Sequence, residues 1–178
     1  MNKLSHCTPM LAILLTVYLS GFAQVPTAEK LDPNMTLQKS DADGIVWLDP
    51  RKAPFKLYGF EWISKDHVYR RLPVRPEWEI RDAVDQLANH TAGGQIRFRS
   101  NSRKILLRVE LREKSGMYHM PATGQSGFDM YVKDGAVQRY VKTTRFPVDS
   151  IRYQVELLNT DDKQMRDFTI NFPLYNGV

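Results

Sequence analysis

Gln95–Leu111 reads QIRFRSNSRKILLRVEL, and its alternation decides the fold. Ile96 and Phe98 fall on one face of Gln95–Arg99, Arg97 and Arg99 on the other. From Lys104 the pattern sharpens: Ile105, Leu107, Val109 and Leu111 point one way, Leu106, Arg108 and Glu110 the other. A period of two is the mark of a strand with one buried face. Asn101-Ser102 between the two runs predicts a hairpin turn. Downstream, Phe128, Met130 and Val132 form the inward side of a further strand. Asp134-Gly135 then predicts a tight hairpin returning through Val137 to Lys142, because both turn residues tolerate positive φ. Ile151, Tyr153, Val155 and Leu157 alternate with Arg152, Gln154 and Glu156, and Phe168, Ile170, Phe172 and Leu174 with Thr169 and Asn171. Upstream, Ile45–Leu48, Phe55–Tyr58 and Val68–Leu72 read as shorter strands, with Trp47 expected in the core. Only Ile80, Ala83, Val84, Leu87 and Ala88 recur at helical spacing, closed by Ala92-Gly93-Gly94. The expected fold is all-β: a two-sheet antiparallel β-sandwich, jelly-roll-like, with one short helix. An immunoglobulin-like sandwich is the alternative.

The N-terminus follows another logic. Met10–Phe22 (MLAILLTVYLSGF) is apolar and uncharged, the length of a signal-peptide core and short for a bilayer span. Gly21 and Ala23 supply small residues for cleavage after Ala23. Residues 1–23 therefore read as a signal peptide, 24–44 as a polar linker or arm, and 45–178 as the folded domain. The expected location is secreted or periplasmic, with no membrane attachment after cleavage. The single cysteine, Cys7, lies in the leader, so the mature domain relies on its core rather than on disulfides. With 178 residues, 42% hydrophobic and 25% charged, the chain is globular rather than disordered or fibrous. The net charge of +5 is spread along the chain and accompanies no nucleic-acid motif.

Catalytic signals are few. Gly124-Gln125-Ser126-Gly127-Phe128 approaches the nucleophile elbow G-x-S-x-G, but Phe128 replaces its last glycine. A strand rather than a helix follows. A Ser126, His119, Asp129 triad can be drawn, and any chain of this length offers such a trio. His67, His90 and His119 are isolated from one another, so no metal site and no cofactor is expected. Asp41, Asp43 and Asp161-Asp162 lack a calcium-loop pattern and read as solvated turns. Trp47, Trp62, Trp78, Tyr118 and Tyr131 carry the flat apolar faces that stack on sugars, although most such rings serve a core. Tyr131 alternates with Met130 and Val132 and so faces away from them. Asn34-Met35-Thr36 and Asn89-His90-Thr91 fit the glycosylation sequon.

Met117–Val132 (MYHMPATGQSGFDMYV) resembles the N-terminal domain of SGNH-hydrolase-type secreted esterases. Gly127-Phe128-Asp129-Met130-Tyr131 matches that family's G-x-D-L-Y motif, with Met130 in the Leu position, a volume-conserving exchange. Tyr69–Pro73 (YRRLP), Leu87-Ala88, Thr91–Phe98 (TAGGQIRF), Thr143–Phe146 (TTRF) and Phe168–Tyr175 (FTINFPLY) are similar to it as well. The resemblance runs from about Ile45 to Val178. It implies a β-sandwich that precedes a separate GDSL-like α/β catalytic domain. The chain contains no G-D-S and no D-x-x-H block, so the resemblance supplies no catalytic residue. It implies an accessory domain whose partner is the SGNH catalytic domain, in cis or in trans, with acylated carbohydrate as a second partner. The contact residues expected on this reading are Tyr118, His119, Gln125, Ser126, Asp129 and Tyr131. The alternatives are a small autonomous esterase using Ser126 and His119, and a free-standing carbohydrate-binding module.

Overall fold

A computed structural model describes residues 39–178. The signal peptide, most of the 24–44 arm and the Asn34 sequon lie outside the described residues. The chain divides into two compact units at Trp47/Leu48. In the first, Asp41 organises a turn: its carboxylate accepts the amides of Asp43 and Ile45 and the Trp47 indole N–H at 2.9–3.1 Å. Trp47 is thus half-buried against a carboxylate rather than part of the core.

The second unit is built on seven strands: β1 (Lys56–Tyr58), β2 (Gln95–Ser100), β3 (Lys104–Glu110), β4 (Asp129–Asp134), β5 (Val137–Thr143), β6 (Arg152–Asn159) and β7 (Arg166–Asn171). They form two antiparallel sheets, one ordered β1-β2-β7-β4-β5 and the other β3-β6. Alternation places Ile96, Met130, Phe168 and Ile170 on the inner face of the larger sheet. Ile105, Val109 and Leu157 on the smaller sheet join the same buried cluster, with Phe60, Leu111, Phe128 and Phe172 filling it. Each such side chain contributes roughly 1.5–3 kcal/mol by leaving water. Phe172 is the centre of an aromatic knot, its ring 4.9 Å from Phe60, 4.9 Å from Tyr69 and 5.2 Å from Phe128.

The hairpin between β4 and β5 forms where the sequence predicts it, but one residue further on: Asp134 closes β4 by pairing with Val137, and the turn is Gly135-Ala136, with Gly135 alone at positive φ, +60°. Asn101-Ser102 does not make a hairpin. β2 pairs with β1 and β7, whereas β3 pairs with β6, so this connection carries the chain from one sheet to the other. Alternation fixes which side chains face inward but not which strand lies alongside. Ile45–Leu48 and Val68–Leu72 form no strand. Val46 and Leu48 are exposed and unpaired in a sheet. The second stretch is instead tied down by its own polar groups. The amide of Arg71 binds the Ala88 carbonyl, and the buried Arg70 guanidinium reaches Leu72 O, Asn89 Oδ1 and the Asp85 carboxylate.

Among the described residues three short helices replace the single one expected: α1 (Ile63–Asp66), α2 (Asp82–Leu87) and α3 (Ala122–Ser126). The apolar stripe of α2 is not a core face. Val84 and Leu87 remain 37% and 52% exposed, and only Ala88, just past its end, is buried.

Candidate functional site

Gly127–Tyr131 explains itself by parity. Phe128 and Met130 point into the core, at 2% and 0% exposure. Asp129 and Tyr131 therefore emerge on the outer face of the larger sheet. Gly127 sits where α3 gives way to β4, and a Cβ there would stand 2.3 Å from the Thr123 carbonyl oxygen, so no other residue fits that approach. Phe128 exchanges backbone hydrogen bonds with the 143–146 segment, its amide donating to Thr144 Oγ1 at 2.9 Å and its carbonyl accepting from Thr144 N at 2.8 Å.

Gln125 and Ser126 lie inside the protein. The Gln125 side-chain oxygen accepts the amides of Gly116 and Met117 at 2.9 and 3.1 Å, folding the preceding loop back on α3. Ser126 Oγ, fully buried, accepts from Asn176 Nδ2 at 2.9 Å and from Ser115 Oγ at 2.8 Å. Asn176 is the hub of this knot. It also donates to Glu113 O at 2.8 Å and accepts Glu113 N and Gly177 N, while its own carbonyl receives both the amide and the hydroxyl of Thr91. The network clamps the 113–127 loop, the 91–94 turn and the segment after β7 together. Thr91 is part of the TAGGQIRF stretch; Asn176 carries no signal that sequence reading could have picked out.

Of the remaining expected contact residues, Tyr118 is 99% exposed and packs only against the exposed His119, ring centroids 4.9 Å apart. Among the described residues no hydrogen bond joins Ser126 to His119 or Asp129. A buried hydroxyl already held by an amide and a second serine is not a nucleophile, so the drawn triad is not assembled. Among the described residues there is no cluster of three His, Cys, Asp or Glu suited to a metal ion, and no helix is long and apolar enough to cross a membrane.

What remains open is a groove of about 480 Å³ at the end of the larger sheet. Backbone at Gly93, Gly124 and Gly127, the side chains of Asp129 and Asn171, and the half-exposed Leu174 line it. The sheet's outer face runs on from the groove. Cα partners across the ladder put Tyr58, Gln95, Asn171, Asp129 and Thr143 in one row, and Lys56, Arg97, Thr169, Tyr131 and Tyr140 in the next. The Asp129 carboxylate holds the Tyr131 phenol above the usual tyrosine range, and partial burial adds to this.

These features define a two-sheet antiparallel β domain that keeps its serine for internal structure and turns a groove and a polar sheet face outward. The model of the GxDLY family, the N-terminus of SGNH-hydrolase-type esterases, matches residues 45–178, and the chain belongs to that family. Among solved structures the fold is similar to a crystal structure at 1.40 Å of a protein described as a GDSL-like lipase from Bacteroides ovatus ATCC 8483, with a TM-score of 0.60 and 17% identity. That match covers 68% of this chain and 35% of the Bacteroides chain, so the likeness is one of fold and spans about a third of that protein. No curated protein matches.

Proposed function

We propose that this domain is a non-catalytic accessory module of a secreted SGNH-type esterase acting on acylated carbohydrate, docking beside the catalytic domain and forming one wall of its cleft. The observation that carries the reading is the contrast within one short segment. Ser126 is locked away by Asn176 and Ser115, while Gly127 and Asp129, next in sequence, line an open groove beside the exposed Leu174. Exposed Trp78, Leu87 and Tyr175 add apolar surface of the kind that a partner covers. Within this segment Phe128 and Met130 pack the core, and Asp129 between them faces outward. In this reading Tyr118 and His119, exposed on the loop before α3, are contact residues for the partner, and Gln125 and Ser126 hold that loop and α3 from inside.

The test mixes the full chain with a separately produced SGNH catalytic domain of the family and measures association by sedimentation velocity and calorimetry. A complex is expected, weakened about tenfold or more by Leu174→Asp, since truncating a central contact costs more than ~1.4 kcal/mol. Two results would overturn the reading. One is absence of a complex both in trans and when the two are fused. The other is hydrolysis of an activated acetate ester by this chain alone that Ser126→Ala abolishes.

A further inference from the structure

We propose that the outer face of the five-stranded sheet binds an acidic polysaccharide, taking a uronate carboxylate at Arg97 and Lys56 and stacking a neighbouring sugar ring on Tyr131 and Tyr140. Arg97 is exposed, yet it is held from two sides. Its Nε and Nη2 both donate to Gln95 Oε1, at 3.0 and 2.6 Å, and Gln95 Nε2 is in turn fixed by Asn171 Oδ1 at 2.9 Å. From the other side the Tyr58 ring lies 4.4 Å beneath the guanidinium carbon. Among the described residues these contacts leave Nη1 without an intramolecular hydrogen bond. Among the described residues Arg97 makes no ion pair with a carboxylate, and neither does Lys56, its Cα partner on β1.

A surface arginine ordinarily gains little from being held still, because side-chain entropy opposes it. Here a stacked tyrosine and a two-amide relay fix it without neutralising it. That is preorganisation for an anion, which then binds without the usual ordering penalty. The charge complementarity is local: Arg99 is offset by Asp167, 3.9 Å away, and Arg139 by Asp134. Lys56 and Arg97, side by side, carry no such carboxylate partner among the described residues.

The rest of the row identifies the ligand as a glycan rather than an acidic peptide. Tyr131 and Tyr140 stand edge to face, 5.8 Å apart, and Tyr140 is fixed by its hydroxyl donating to Thr143 Oγ1 at 2.9 Å. Tyr131 lies two strands from Arg97, about 10 Å at ordinary strand spacing, a disaccharide-scale step. The two rows carry phenols, amides, hydroxyls and a guanidinium, and no aliphatic side chain that would form a pocket for a peptide residue. A pyranose offers an apolar ring face and polar edges, which such a surface matches. Asp129 at the groove end repels an anionic group there, so the carboxylate is directed to the β1–β2 side.

The four side chains assigned to the glycan, Lys56, Arg97, Tyr131 and Tyr140, are not among those lining the docking groove, so a chain that docks but binds no glycan fails here alone. The test is calorimetry and affinity electrophoresis of the full chain with galacturonate hexamer, xylohexaose, cellohexaose and poly-glutamate. Binding to the galacturonate hexamer that weakens with salt is expected, with tenfold or greater loss in Arg97→Gln, a smaller loss in Tyr140→Ala, and none in Arg152→Gln on the opposite sheet. Circular dichroism and thermal unfolding verify that each variant is folded, and Arg97→Lys retaining part of the affinity gives a second reading of the charge. No binding to the hexamer, equal binding to the neutral oligosaccharides, stronger binding to poly-glutamate, or a folded Arg97→Gln that binds unchanged would each overturn the proposal.

Discussion

Replacing Ser126 with alanine separates a structural serine from a catalytic one. The hydroxyl is fully buried and accepts two hydrogen bonds, from Asn176 Nδ2 at 2.9 Å and from Ser115 Oγ at 2.8 Å. Alanine fits the space but removes both bonds. Ser115 is only half-buried, so its hydroxyl can turn to water. Asn176 is fully buried, and one of its two amide hydrogens is left without an acceptor; stranding such a donor costs about 1–3 kcal/mol. For a domain of this size that corresponds to a fall in Tm of roughly 3–9 °C. Thermal and guanidinium unfolding of Ser126→Ala, Asn176→Ala and the double variant would measure it. Because the two side chains share a hydrogen bond, the double variant should lose less than the sum of the singles, by about 0.5–3 kcal/mol. Ester hydrolysis measured on the same preparations should not respond to Ser126→Ala. An unchanged Tm, strict additivity, or an ester-cleaving activity that disappears with the hydroxyl would refute the structural assignment.

Two further outcomes follow from packing and burial. Met130 is fully buried where the family motif carries Leu, so Met130→Leu should change stability by under ~1.5 kcal/mol, whereas Met130→Ala should cost about 2–5 kcal/mol in denaturant titrations. Burial pushes the phenols of Tyr69 and Tyr153 from 10.0 up to about 12, so the folded state keeps protons there that the unfolded chain releases. The stabilisation is complete below pH 10 and is lost as the pH climbs towards 12; Tm should decline across that window, less steeply in Tyr69→Phe, and a flat profile would contradict the burial.

The legible parts of the fold were those where the signal lies within a single strand. Inward and outward residues of β2, β4 and β7 follow from alternation, and the β4–β5 hairpin from turn chemistry. Partner choice was not legible. Gln95–Leu111 reads as one hairpin because alternation is identical whether two strands share a sheet or face each other across a core. Val68–Leu72 misled for a different reason: its apolar residues look strand-like, but the Arg70 guanidinium, tied to Asn89 and Asp85 far along the chain and to Leu72 O within the segment, decides its path. The stripe on α2 has helical spacing and does make a helix, yet spacing alone does not reveal whether a face meets the domain's own core or remains exposed. At the site, Asp129 and Tyr131 emerge where parity puts them. Gln125 and Ser126, expected at the contact surface, are turned inward by α3, and the residue that secures Ser126, Asn176, is fifty positions away along the chain.

That separation bears on how the motif works. Strand period ties the two sides of Gly127–Tyr131 together: any register slip of β4 by one residue would bring Asp129 into the core and expel Met130. The carboxylate at the groove and the ring on the sheet face are therefore held outward by the burial of Phe128 and Met130, and the ring is braced further by Tyr140. Upstream, Gly127 forbids a side chain at the α3 junction, and the Ser126–Asn176 bond fixes α3 to the segment following β7. Downstream, Tyr131 is matched to Tyr140 across the bulge in the β4–β5 ladder. The groove and the sheet face are thus two ends of one rigid strand. A partner seated at Asp129 and a glycan stacked at Tyr131 would be set about two residues apart along it, roughly 7 Å. Substitutions at Met130 that loosen the strand should disturb both surfaces together, while Arg97→Gln should disturb only one.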